Sequence, residues 1–208
     1  MMARCGRRGG RGAKYALFMS GGTTGKDDMS YEFDQFIADA RATLRRGSGP
    51  AELEQVRQSL AKLLANGAFV ERTCGPDARG GLHRLHVDDE LGFEVLAHVN
   101  DKARKSPPHD HGESWAIYGQ ATGYTDMTEY RRADDGSDPE QAKLEQTRRY
   151  RLKPGEVGVF AGTAIHAIDY PDKSRFIRVT GTNLDAIERV AYDEQSGRIK
   201  RMGAQQAT

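Results

Sequence analysis

Between Leu82 and Tyr192 the chain is cut into short segments rich in β-branched and aromatic residues. They are Leu82–Val87, Phe93–Val99, Trp115–Tyr118, Gly123–Arg131, Leu144–Leu152, Val157–Phe160, Ala164–Ile168, Phe176–Thr182 and Arg189–Tyr192. Gly, Pro, Asp and Asn separate them, and the longest break is the polar stretch Ala133–Lys143. Short strands with turn residues between them and no helical period among them predict an all-β sandwich or barrel. Arg189–Met202, with Asp193-Glu194-Gln195-Ser196-Gly197 at its tip, reads as a closing hairpin on the surface.

Ahead of this region the periodicity is helical. Ser30 is placed to N-cap a helix running to about Arg46, with Phe33, Phe36, Ile37, Ala40 and Leu44 on one face. Arg45 and Arg46 suit the negative end of the helix dipole, and Gly47 ends it. Pro50 opens a second helix whose stripe is Leu53, Val56, Leu60, Leu63 and Leu64, with Gly67 as its stop. Both stripes are expected to pack on the β region. The expected organisation is a tail over 1–28, two helices within 29–76, and a β domain over 77–208.

The 208 residues carry a formal net charge of +1, so the molecule as a whole has no bulk attraction to nucleic acid or membrane. The distribution is uneven, with +4 over residues 1–28 and therefore −3 over the remainder. The run Gly6-Arg7-Arg8-Gly9-Gly10-Arg11-Gly12 has the composition of an RNA-contacting tail, but the segment lacks periodicity and reads as a disordered, dispensable extension before Met29. Nucleic acid is therefore not the expected partner. Two cysteines, Cys5 and Cys74, form neither a CxxC pair nor a zinc spacing, and Cys74 reads as a buried thiol. No apolar run approaches the ~20 residues needed to cross a bilayer, and Tyr15–Met19 is too short for a signal-peptide core. The cytoplasm is the expected location.

Chemistry enters at Pro107-Pro108-His109-Asp110-His111. On an extended strand, residues two apart share a face, so His109 and His111 form half of a metal site. A second patterned segment, Lys153–Ile168, reads as a Pro154-Gly155 turn, an apolar strand, a tight loop around Gly162, and then His166. Together the two segments resemble the motifs of the cupin superfamily, over about residues 80–182. His109 and His111 match the His-x-His of the first motif, which ends at Gly123. Pro154-Gly155 and His166 match the second. The resemblance implies a double-stranded β-helix, or jelly-roll barrel, with the two N-terminal helices packed on it. It also implies that His109, His111 and His166 converge on one metal. A lone buried histidine is ordinarily a hydrogen-bonded core residue. Three in these two motifs point instead to metal ligation. Three neutral imidazoles leave the ion its full charge and leave open positions for an anionic substrate, water or dioxygen.

Many cupins add a glutamate four or five residues after the second histidine. Here those positions are Trp115 and Ala116, and Glu113 comes too early to match. A three-histidine set without that glutamate resembles the cysteine dioxygenase-like, or thiol dioxygenase, branch. That resemblance implies iron(II), dioxygen, and a small substrate bearing a thiol and a carboxylate. It points to Arg84 as the residue that anchors the carboxylate, because a planar guanidinium pairs bidentately with it. Two features depart from the branch. Ala116 stands where some members carry a crosslinked cysteine. The strand after the third ligand, Thr180-Gly181-Thr182-Asn183-Leu184, offers hydroxyls but no Ser-His-Tyr relay. Zinc, nickel and manganese compete for the same nitrogen donors, so a non-oxidative isomerase or lyase and a non-catalytic metal- or small-molecule-binding module stand as alternatives. Cupin sandwiches often pair through edge strands, and the Arg189–Met202 hairpin could make a homodimer in this way.

Several other residues carry expectations. His83 and His86, three apart, should face opposite sides of a regular strand and so are not co-ligands. His98 is expected in the core or behind the metal ligands. Trp115 and Tyr118 are expected to line a pocket or to pack. Asp169 and Tyr170, close after His166, are expected to support it.

Overall fold

A computed structural model describes residues 30–203, and the Arg/Gly-rich segment 1–28 lies outside them. The helical region holds three helices rather than two: α1 (Phe33–Leu44), α2 (Pro50–Leu64) and α3 (Gly67–Cys74). Gly67 opens α3 instead of stopping at the end of α2. The cause is Asn66, whose side-chain carbonyl accepts the Phe69 N–H at 3.0 Å and caps the new helix. Its amide also donates to the Tyr31 carbonyl and the Glu32 carboxylate, which ties α3 to the start of α1. Ser30 does not cap α1. Its hydroxyl donates to Glu32, which occupies the N-cap position.

Two antiparallel sheets follow, together with a terminal hairpin. Their strands are β1 (Gly81–Val87), β2 (Glu94–Val99), β3 (Arg104–Lys105), β4 (Ala116–Thr122), β5 (Thr125–Arg132), β6 (Leu144–Leu152), β7 (Val157–Phe160), β8 (Ile165–Tyr170), β9 (Arg175–Thr180), β10 (Arg189–Tyr192) and β11 (Ile199–Met202). One sheet has five strands in the order β1-β2-β9-β4-β7, the second has four in the order β3-β8-β5-β6, and β10 pairs with β11. Most expected strands appear with edges moved by a few residues; the two-residue β3 is additional.

The strands β2, β9 and β4 of the five-stranded sheet are buried on both faces, and strand alternation divides the work between them. Val95, Ala97, Ile117, Ile177 and Val179 face the helices, where they join Phe36, Val56, Leu60 and Leu63 in the main core. Burying each such side chain contributes about 1.5–3 kcal/mol. Gly119 lets α2 come close, because a Cβ there would lie 2.6 Å from Leu64 Cδ1 and 2.9 Å from Leu60 Cδ2. The opposite face packs on the four-stranded sheet through Ala116, Tyr118, Phe160 and Phe176 against Met127, Leu152 and Tyr170. The hairpin closes over a third cluster, with Tyr192, Val190 and Ile199 packed near Ile165, Tyr130 and Leu144. No described helix is long and apolar enough to cross a membrane.

Candidate metal centre

The segment carrying His109 runs as an extended stretch between β8 and β10. His109 N–H donates to the His166 carbonyl at 2.8 Å, and His166 N–H donates back at 2.9 Å. Two residues that exchange both bonds sit directly opposite and project from the same face. On the other side, Asp110 N–H donates to Val190 and Tyr192 N–H donates to Pro108, each at 2.9 Å. The prolines cost nothing here, since Pro108 is used only through its carbonyl. His111 follows two residues on, facing the same way. Gly112 then turns the chain at φ +59, where a Cβ would lie 2.2 Å from the Glu188 carbonyl oxygen. Its carbonyl accepts the Thr163 N–H, which joins this turn to the loop leading into His166.

The three rings meet between the sheets. Their centroids are 4.6 Å apart for His109–His166, 4.8 Å for His111–His166 and 5.5 Å for His109–His111. One nitrogen from each lies within 4.8 Å of the others, so the three histidines form a group that could hold a metal ion. His111 and His166 are buried, at 2% and 0% exposure, while His109 retains access to solvent. Nδ1 of His109 lies 3.0 Å from the Pro107 carbonyl and Nδ1 of His166 3.4 Å from the Ala164 carbonyl. A proton on each Nδ1 leaves each Nε2 lone pair free to ligate. The His166 Nε2 and the His111 Nδ1 are buried without a hydrogen-bond partner. Buried ring nitrogens without a partner, within one cluster, fit the role of cation ligands better than that of a finished core.

Electrostatics keep the rings neutral. Burial, then the neighbouring His109, pushes His166 down to about 3, and burial acts in the same direction on His109. Burial followed by the neighbouring His166 and His109 drives His111 far below the ordinary imidazole range. Neutral imidazole is the form that ligates metal.

The other sequence candidates are distributed differently. Glu113 is exposed and stands outside the group. Arg84 lies on the edge strand β1 with its side chain 51% exposed, and its Nε pairs with the buried Glu94 carboxylate at 3.4 Å. His83 and His86 share the helix-facing side, contrary to expectation. A bulge after Arg84 resets the alternation, so His83 pairs with Ala97 and His86 with Val95, both helix-facing. Neither joins the metal group. His98 is half-buried between the sheets, stacked on Phe176 at 4.5 Å. Trp115 packs into the helix-side core. Asp169 and Tyr170 do not support His166, since the Tyr170 hydroxyl donates to Asn100 and Asp169 is paired in register with Lys105 and Asp126.

Three residues that sequence reasoning left out or underused stand on the inner faces near the histidines. The Tyr118 hydroxyl lies 3.2 Å from His111 Nε2. Glu129 is directly opposite His166 on β5. Arg178 on β9 is paired with Tyr118 on one side and Leu96 on the other. Only the pairing of non-consecutive strands brings these residues to the site, and no local spacing in the sequence signals it.

No protein-family model matches the chain, and no curated protein is significantly similar to it. Solved structures with a similar course are cupin superfamily proteins. The cupin domain of Schizosaccharomyces pombe Cnp3 is 13% identical with a TM-score of 0.38, and the match covers 52% of this chain and 66% of that one. A sugar phosphate isomerase of the cupin superfamily from Silicibacter pomeroyi is 18% identical with a TM-score of 0.37, over 54% of this chain and 63% of that one. KdgF from Halomonas is 19% identical with a TM-score of 0.35, over 50% and 82%. Similarity this low assigns no function, and the site stands on its own residues.

Proposed function

We propose that the protein is a mononuclear non-haem iron(II) dioxygenase of the cupin type. Its substrate would be a small molecule bearing a thiol and a carboxylate. The observation that carries the reading is the convergence of three neutral imidazoles, two of them with orphaned buried nitrogens, and no carboxylate in the group. His109, His111 and His166 would hold the ion. Bound there, iron(II) would supply open positions for a thiolate and for dioxygen.

The chain's own residues set the surroundings. The carbonyls of Pro107 and Ala164 fix the tautomers of His109 and His166. Tyr118 places a hydroxyl beside His111, and Phe160 stacks on His166 at 4.0 Å and excludes water from that side. His109 is only partly buried, and its open side would be the route by which a substrate enters. Protein purified without chelators should contain about one equivalent of transition metal. After anaerobic iron(II) loading it should consume oxygen with at least one of a panel of thiols and diketones. No uptake with any of them sinks the reading.

One observation favours a second reading. The inner face of β9 carries Phe176, Arg178 and Thr180, and the Thr180 hydroxyl is committed to the Thr182 carbonyl, so this strand supplies no acid–base relay. A metal- or small-molecule-binding module without turnover would show stoichiometric metal and ligand affinity with no oxygen uptake.

A further inference from the structure

Arg178 lies on the inner face of β9, flanked in register by Tyr118 and Leu96. Its Nε is buried without a hydrogen-bond partner, and no carboxylate pairs with it among the described residues. Arg178 is half-buried; arginine stays charged at all ordinary pH values, and a guanidinium N–H held away from water without an acceptor is disfavoured. The inner-face carboxylate of Glu94 is engaged with Arg84. A divalent cation bound by the three imidazoles would add to the same uncompensated positive charge. An anion that met both would balance the two charges and give the Arg178 guanidinium its missing acceptor.

We infer that Arg178, rather than Arg84, anchors the carboxylate of a small acid whose second donor atom binds the metal held by His109, His111 and His166. The inference rests on the proposed metal site but not on oxygen chemistry. The guanidinium presents a planar fork suited to a bidentate carboxylate. Tyr118, the register partner of Arg178, has its hydroxyl 3.2 Å from His111 Nε2, so a single side chain separates anchor from ligands. Arg84 has Leu96 between it and Arg178, and its charge is already shared with Glu94. Arg178 therefore sets specificity for acids over uncharged analogues.

Cobalt(II)-loaded protein tests this through its visible absorption, which reports coordination without turnover. The probes are 3-mercaptopropionate and the uncharged 1-propanethiol, titrated into wild type, R178Q, R178K and R84Q. Cobalt stoichiometry is measured first for each. In R178Q, affinity for 3-mercaptopropionate should fall roughly 10- to 100-fold, the range of charge-assisted bonds, while that for 1-propanethiol stays within about twofold. R178K keeps the charge but loses the fork, so it should show an intermediate loss; it decides the matter if R178Q does not fold. R84Q should match wild type within about twofold. Equal affinities for the acid in wild type and the Arg178 variants, or a loss confined to R84Q, overturn the inference and leave the metal site standing. Failure of wild type to bind cobalt removes the site and the inference together.

Discussion

The two faces of the five-stranded sheet are built from the same strands and have opposite characters. Toward the helices, β2, β4 and β9 present Val95, Ala97, Ile117, Ile177 and Val179, packed and apolar. Toward the second sheet the alternate residues mix Leu96, Ala116 and Phe176 with the polar Glu94, His98, Tyr118, Arg178 and Thr180, several of them buried. An apolar interior on this second side would be more stable, because buried polar groups contribute little unless fully partnered. The difference teaches that one side of the sheet holds the protein together, while the other is held in a state that a bound cation and anion would complete.

The largest effect should come from the supporting face. Leu60 is fully buried against Gly119 and the rest of the helix-side core. Leu60→Ala should cost about 2–5 kcal/mol in urea unfolding, through lost burial and the cavity left behind. The folded fraction should bind metal as wild type does. A loss of metal affinity beyond tenfold would show that the two faces are not independent.

On the other face the expected response is reversed. His166→Leu removes a buried ring whose Nε2 has no partner and places an apolar side chain beside Phe160. The metal-free variant should be as stable as wild type or more so, by about 1 kcal/mol. It should lose stoichiometric metal binding and with it the stabilisation by metal, about 2.7 kcal/mol at a metal concentration 100 times Kd. Thermal melts with and without metal read both quantities. A metal-free variant destabilised by several kcal/mol would mark His166 as a structural residue.

The supporting face was the more legible of the two. Period-3.6 stripes name the helix residues that bury, and runs such as Val157–Phe160 and Leu144–Leu152 name strands with correct bounds. The three histidines were legible because two local patterns carry them. Three things were not. Asn66-Gly67 reads equally as a stop and as a start, and only the bond from Asn66 to Phe69 decides between them. The bulge after Arg84, which brings His83 and His86 to one face, leaves no mark in residue types. The neighbourhood of Arg178 depends on β9 lying between β2 and β4, a long-range pairing that periodicity does not encode. The family resemblance pointed to Arg84 as the anchor; Arg178 comes into consideration only through the pairing of β9 with β2 and β4.

The smallest of these effects separates the histidines from one another by their protons. His98 lies on the inner face but outside the metal group, stacked on Phe176. Burial first, then the cations of Arg178 and Arg104, hold it well below the ordinary imidazole range, so it is neutral when folded. In the unfolded chain its pKa returns to about 6.5 and it takes up a proton in mild acid. Its contribution to stability is therefore complete above about pH 6.5 and is lost as pH falls below that value, by about 1.4 kcal/mol per pH unit. His109, His111 and His166 act with the same sign in the metal-free protein. Metal should suppress their share, because it holds them unprotonated in the folded state and protons then compete with metal binding itself. His98→Phe keeps an aromatic ring against Phe176 and deletes only the His98 proton. Relative to its own stability at pH 7.5, the variant should resist acid better than wild type by about 2 kcal/mol at pH 5. Urea unfolding across that range, with and without metal, checks it. A slope unchanged in His98→Phe would mean that His98 is already as basic in the fold as in the unfolded chain, and that the inner face is wetter than its packing implies.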